Sequence, residues 1–296
     1  MHIFYKIMFF VSIALVASAI LVTVFWGLQL GADFKGGSIL EISFVSQDLP
    51  EISQVRDLLK KEETLREVSI SPAGTDSLII RTNEMDDSTH QKILAEIGSK
   101  FGEVEEKRFS SVGAIIGREL KQKSVVAVIL VLVLIIIYIA FVFRKLSRIL
   151  SPFAMSLAAI VALAHDVAVP VGVFAFLGHY YGIEITAIFV AAVLTILGYS
   201  VSDTVVVFDR VRENVLKFGT AEKFGFLVHR SIIQTLTRSL NTTFTTLLSL
   251  FAIYFFGGES VKYFSLAMII GIFLGAYSSI FVASPLLVWL SRRKST

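Results

Sequence analysis

Six long apolar runs punctuate this 296-residue chain, and they limit its fold more than any other feature. A helix needs roughly 20 mostly apolar residues to cross about 30 Å of hydrocarbon. The runs predict membrane spans at about 4–28, 125–143, 152–177, 185–208, 240–256 and 264–290. Composition agrees: 55% of the residues are hydrophobic, Phe occurs 25 times, and the mean hydropathy is +0.76. The first run is longer than a signal-peptide core of about 7–15 residues, and Ala17-Ser18-Ala19, which resembles a cleavage tripeptide, lies inside it. We read it as a retained anchor.

Several function classes fall away early. There are no cysteines, which excludes disulfides, thiolate metal sites and a Cys nucleophile. The chain has no nucleotide-binding loop, metal-ligand spacing or nucleophile–base cluster, so an enzyme, a cofactor and catalytic residues are not expected. The net charge of +3 is small. The basic residues gather at the ends of apolar runs, as membrane topology requires, rather than in a stripe suited to nucleic acid.

Those basic residues orient the chain. Arg144, Lys145 and Arg148 follow the second run; Arg210, Arg212, Lys217, Lys223 and Arg230 follow the fourth; Arg292, Arg293 and Lys294 end the chain. The opposite connections, 178–184 and 257–262, hold only Lys262. The positive-inside rule therefore predicts cytoplasmic termini and an extracytoplasmic segment between the first two spans. The domain boundaries expected are a first helix at 1–30, an outer domain at 31–123 and a five-helix bundle at 124–296, with a basic cytoplasmic connection at 209–238. In that connection Phe224, Leu227 and Val228 suggest a short helix lying on the membrane surface.

The outer segment reads strand, helix, strand, strand, helix, strand, the order of a ferredoxin-like α+β unit. Residues 38–45 alternate as a strand, and Ile52, Val55, Leu58 and Leu59 recur at helical spacing. Residues 67–71 and 77–82 read as a hairpin joined by 72–76. Asp87 or Ser88 is placed to cap a second helix, and 104–109 completes the set.

Ionisable groups inside the runs carry the functional argument. A charge at the centre of a membrane helix costs about 2.5–3.5 kcal/mol on insertion scales, and such groups usually mark ion or substrate routes. Asp166, preceded by His165, lies roughly 20 Å along the third span at 1.5 Å per residue. Pro170, four residues on, cannot donate to its carbonyl. Asp203 lies in the fourth span with Tyr199, Ser200, Ser202 and Thr204 around it. On the fifth helix Gln234, Arg238, Asn241 or Thr242, Thr245 and Ser249 recur at three- and four-residue spacing, one polar stripe beginning at a depth where Arg238 can reach Asp203. Two readings stay open: a buried ion pair that fixes packing, or an ion path in which protonation of Asp203 switches its attraction for Arg238. Ala267, Gly271, Gly275 and Ser279 form a small-residue stripe on the sixth span, suited to close helix packing.

Certain stretches resemble the SecF family of protein-export membrane subunits. They are Gly31-Ala32-Asp33-Phe34-Lys35-Gly36-Gly37; the segment 111–120; His165-Asp166-Val167; the segment 198–214, which contains GYSVSDTVVVFDR; Thr235-Leu236-Thr237-Arg238 with Asn241-Thr242-Thr243; and Phe264-Ser265-Leu266-Ala267 leading to 275–281. Ser202 stands where the family usually has Asn, and Ala114 where it has Pro. The resemblance implies half of an RND-type proton-driven transporter, with SecD supplying six further spans. It also implies the SecYEG channel, SecA, the translocating preprotein and membrane lipid as partners, in the bacterial inner membrane. Asp203 and Arg238 match the motifs assigned to the proton path, with Asp166 added. The alternatives are an RND-type exporter of small molecules or lipids, and a passive scaffold for the export channel.

Overall fold

The computed structural model describes residues 3–45, 49–62, 64–65, 68–143, 152–219 and 222–292. Arg144, Lys145, Arg148, Arg293 and Lys294, used above for topology, lie outside them. The chain divides into two compact units, Met1–Gln29 with Val126–Thr296, and Leu30–Val125.

The chain opens with helix α1 (Ile3–Trp26), and the smaller unit follows. It comprises α2 (Ala32–Lys35), β1 (Gly37–Phe44), α3 (Ile52–Leu59), β2 (Ser69–Ala73), β3 (Ser77–Thr82), α4 (Asp87–Phe101) and β4 (Val104–Val112). The strands form one antiparallel sheet in the order β2-β3-β1-β4, as a ferredoxin-like unit requires. Period-two alternation sends Leu40, Ile42 and Phe44 of β1 into a core shared with Leu78 and Ile80 of β3. Val55 and Leu59 of α3 and Ile93 and Ile97 of α4 close it from one side.

Local chemistry adjusts the boundaries. Pro72 and Ala73 pair within β2, so the hairpin turn is only Gly74-Thr75-Asp76. The cap of α4 is Asp86, one residue before the expected position: its Oδ1 accepts from the Thr89 amide at 2.9 Å. The Thr89 side chain, with the Thr89 amide and the Ser88 hydroxyl, holds the Asp86 carboxyl below its usual range. The glycine pair at the start of β1 is sterically required. Gly36 and Gly37 have φ of +84° and +132°, and a Cβ on Gly37 would sit 2.6 Å from the Thr82 carbonyl oxygen.

Among the described residues, six helices are long and apolar enough to span a membrane. After α1 they are α5 (Ala114–Val142), α6 (Pro152–Tyr181), α7 (Ala187–Phe218), α8 (Phe224–Phe256) and α9 (Glu259–Ser278). The last of these continues through a π-turn (Ser279–Ala283) into α10 (Ser284–Arg292). Pro285 lacks the amide that would bond the Phe281 carbonyl in an α-ladder; next to it the Ser284 hydroxyl donates to the Ser279 carbonyl at 2.7 Å. Helix α1 packs tightly on α6: a Cβ on Gly172 would fall 2.5 Å from Cα of Ala19. Ala114 is the first residue of α5. A first helical position accepts proline as well, because its missing N–H has no intrahelical partner anyway.

The helix that carries the second span begins earlier, at Ala114, while the two units divide at Val125 and Val126, close to the expected start of that span. One expectation is corrected. The connection at 209–238 is not a loop with a surface helix. Its first part completes α7 and its last part opens α8, a 33-residue helix. Leu227 and Val228 are buried against Val207, Phe208, Val211 and Val215, so that face packs on α7 instead of on lipid.

Replacing Gly37 by Ala should destabilise the sheet by about 1–3 kcal/mol, because a side chain there meets backbone at a φ reserved for glycine. Faster hydrogen exchange of the β1–β3 ladder amides is the expected readout, and unchanged protection would refute it.

Candidate functional site

Asp166 sits at the middle of the bundle with no exposed surface. Its own helix presents Ala158 and Ala162 on the same stripe, both fully buried, and these small side chains let α7 and α9 approach. Three groups then hold the carboxylate. The Ser200 hydroxyl of α7 donates to Oδ2 at 2.5 Å, and the Ser278 hydroxyl of α9 donates to the same oxygen at 2.7 Å. Nδ1 of His165 lies 2.9 Å from Oδ1. The imidazole is itself buried and stacks on Tyr277, with ring centroids 6.0 Å apart. Tyr277 donates to the Met8 carbonyl of α1 at 2.8 Å, where Ser12 also reaches it. Asp166 is thus the centre of a polar network that ties α6 to α7 and α9.

Asp203 lies one turn beyond Ser200 but faces α8. It is partly exposed, and its Oδ2 accepts from the Ser239 hydroxyl at 2.8 Å. Arg238 is near enough for its charge to act on Asp203, yet the two form no ion pair, and Arg238 is exposed. With Asp209, Arg210, Glu213, Gln234 and Thr235 it lines a cleft of about 240 Å³ between α7 and α8.

Helix α8 therefore carries two polar faces. Ser231, Thr235, Ser239 and Thr243 recur every four residues and are buried. Gln234, Arg238, Asn241, Thr242, Thr245 and Ser249, the stripe singled out in the sequence, are exposed. Gln234 still has an inward contact, since its Oε1 accepts from Nδ2 of Asn214 at 2.9 Å. Thr242 and Thr245 bond back to their own helix.

The remaining candidates fall at helix contacts. Tyr199 meets Thr246 of α8 at 3.3 Å, and Ser202 is exposed on the outer side of α7. Thr204 bonds Ser279 at 2.9 Å. Ala267, Gly271, Gly275 and Ser279 line the α9 face toward α7: a Cβ on Gly275 would lie 3.1 Å from that of Ser200, and one on Gly271 would overlap Ile196. Ser239, Ser278 and Tyr277 were missed as site residues. The signal available for Ser239 was its register, one residue off the conspicuous stripe and four from Thr235 and Thr243. No group of three metal-binding side chains occurs among the described residues.

The comparisons with known proteins agree with this architecture. Residues 91–293 match the family model described as protein export membrane protein SecD/SecF, C-terminal. The chain belongs to the SecD/SecF family. The protein translocase subunit SecF of Thermobaculum terrenum is 42% identical over 292 residues, covering 95% of this chain and 90% of the relative. The SecDF protein of Brucella abortus is 35% identical over 283 residues, which are 94% of this chain but 35% of that longer one. The crystal structure of SecDF from Thermus thermophilus superposes with a TM-score of 0.83 at 33% identity, covering 98% of this chain and 38% of that one. The six-helix RND-type half bundle with a ferredoxin-like domain, expected from the sequence, is the observed fold. SecD/SecF membership likewise bears out the family resemblance.

Asp166→Ala should be the most damaging single change in the bundle. Asp166→Ala leaves the Ser200 and Ser278 hydroxyls and the His165 imidazole without their shared partner, each unmet buried group costing about 1–3 kcal/mol, whereas Asp203→Ala removes a single hydroxyl bond to a carboxylate, worth about 1.5–3 kcal/mol. Thermal unfolding in detergent should place Asp166→Ala well below Asp203→Ala; equal midpoints would contradict the central role of Asp166.

Proposed function

We propose that this chain is a SecF-type subunit that pairs with SecD and uses the proton or sodium gradient to promote late steps of protein translocation. Its further partners would be the SecYEG channel, SecA and the emerging preprotein, in the bacterial inner membrane. The termini would be cytoplasmic and the ferredoxin-like unit extracytoplasmic. Support for the orientation is the excess of Lys and Arg at one set of span ends. The chain would act without covalent catalysis and without a cofactor.

One observation carries the reading. A partly exposed carboxylate, Asp203, and an exposed arginine, Arg238, stand on neighbouring helices of an apolar bundle, unpaired but within reach of each other's charge. An arginine facing hydrocarbon costs about 2.5–3.5 kcal/mol. A second half bundle covering α8 would remove that cost and enclose both charges. The relatives named SecDF have room for such a half, since this chain spans 35% and 38% of them.

Coupling would follow from charge. Ionised Asp203 accepts from Ser239 and attracts Arg238 in an environment of low dielectric, where the attraction exceeds its value in water. Protonation cancels the attraction and lets α7 and α8 shift, with Asp166 as a second station on the ion path. One charge moving down 100 mV gains about 2.3 kcal/mol, enough for repeated cycles to do work. The ion thus acts as a ligand that selects between two helix arrangements.

Gradient-driven release of a late-stage preprotein from vesicles tests the proposal. With Asp203→Asn at equal complex levels, release should lose most of its response to the gradient. An undiminished response would leave the carboxylate a structural role and favour the scaffold reading.

A further inference from the structure

We propose that Asp166 and His165 form a proton-binding site of their own, separate from Asp203, in which one exchangeable proton moves between Nδ1 of His165 and Oδ1 of Asp166. This rests on the reading of the bundle as ion-coupled and assigns a specific chemistry to its buried station.

The bonding leaves little choice of where a proton can go. Oδ2 of Asp166 already accepts from both the Ser200 and Ser278 hydroxyls. Oδ1 has only Nδ1 of His165, at 2.9 Å. With Asp166 ionised, Nδ1–H donates to Oδ1, and Nε2 holds a bare lone pair. Nε2 is buried and has no hydrogen-bond partner among the described residues. A water-borne proton reaching Nε2 would form an Nε2–H bond while the Nδ1 proton passes to Oδ1. One proton is gained, the imidazole remains neutral in its other tautomer, and the site changes from one negative charge to none.

Each state has one unmet demand. The ionised state buries a net charge with no Lys or Arg paired to it, which is costly at low dielectric. The protonated state buries an Nε2–H without an acceptor, a cost of about 1–3 kcal/mol. Opposed costs of this kind keep a proton exchangeable.

The neighbours do not supply another titrating partner in contact, apart from Tyr277. Helix α1 brings Ser12 toward Tyr277, while its Tyr5 pairs with His229. Helix α5 brings Val128, Val131 and Leu132 against the cluster of Leu163, Leu197 and Val201. Helix α7 brings Ser200 inward and turns Asp203 to Ser239 and Tyr199 to Thr246. Helix α9 brings Tyr277 and Ser278, and α10 brings no charged side chain among the described ones.

Proton uptake has a structural outlet. Ser278 sits at the start of the π-turn, and its hydroxyl has an alternative acceptor in the Gly275 carbonyl at 3.2 Å. Loss of charge on Asp166 weakens its hold on Ser278 and Ser200 together, and so loosens the seam between α7 and α9. π-turns of this sort are often found at functional positions.

Infrared difference spectroscopy of the full chain with its partner half, in lipid nanodiscs over a pH series, tests the site. The carboxyl C=O band of protonated Asp166 should titrate, vanish in Asp166→Asn, move in Asp166→Glu, and persist in Asp203→Asn. His165→Gln should move its midpoint, since the imidazole is its direct partner. A band set unaffected by either change at Asp166 would overturn the site; a midpoint unmoved by His165→Gln would overturn the dyad. The vesicle assay separates the two proposals. A titrating Asp166 band alongside gradient response intact in Asp203→Asn would uphold this site and sink the Asp203 switch. Loss of that response with no Asp166 band would do the reverse.

Discussion

In hydrocarbon a polar group must find its partners inside the protein, because no water is available to supply them. Asp166 is where this constraint is most severe, and the bundle is arranged around meeting it. A fully buried carboxylate at the centre of α6 draws one hydroxyl from α7, one from α9 and an imidazole from its own helix. Those contacts require backbone proximity, and Gly275 opposite Ser200 permits it. Similar ties recur where apolar packing alone would leave helix register loose, since lipid competes for apolar contact. Tyr5 joins α1 to His229 of α8 at 2.8 Å, and Asn214 joins α7 to Ser231 of α8 at 2.8 Å. Each tie links helices that the apolar residues only bring together.

How far the sequence reveals this depends on what each signal measures. Hydropathy reports contact with lipid, so all six spans were legible, and so was the strand–helix order of the smaller unit, where period and turn residues agree. Hydropathy does not report where a helix stops. Residues 209–218 carry Arg210, Arg212, Glu213, Leu216 and Lys217, all good helix formers, and α7 runs on through them; 224–239 has fewer such residues, and α8 is held there by packing Leu227, Val228 and Ile232 against α7. Leu227 and Val228 looked like a membrane-facing pair because the partner face, Val211 and Val215, lies in the neighbouring helix.

The site was legible by residue type more than by direction. Asp166, Asp203 and Arg238 stand out as charges in apolar surroundings. The stripe through Arg238 drew attention to one face of α8, while the hydroxyls on the buried face are less conspicuous. Ser231 and Thr235 bond to carbonyls one turn back, which lets such residues sit in an apolar interior at little cost. Ser278 was hidden in the same way: the four-residue stripe ends on Ser279, and its neighbour is the one that faces Asp166. A single residue of register, about 100° around a helix, separates the group that is noticed from the group that makes the contact.

That same step of register gives the two carboxylates different audiences. Ser239 and Arg238 are adjacent in sequence, but the first points inward to Asp203 and the second faces out. Asp203 therefore stands on the rim, where its charge is felt both by the bundle and by whatever lies against α8. Asp166 stands in the core, and its charge is felt through Ser200, Ser278 and the π-turn. Helix α7 carries the contacts of both, Ser200 and Asp203 being less than one turn apart. A rigid helix cannot move one of these positions without the other, so a change at the rim is a displacement at the core. The physical link between the outer flank and the interior of the bundle is then the stiffness of α7 itself.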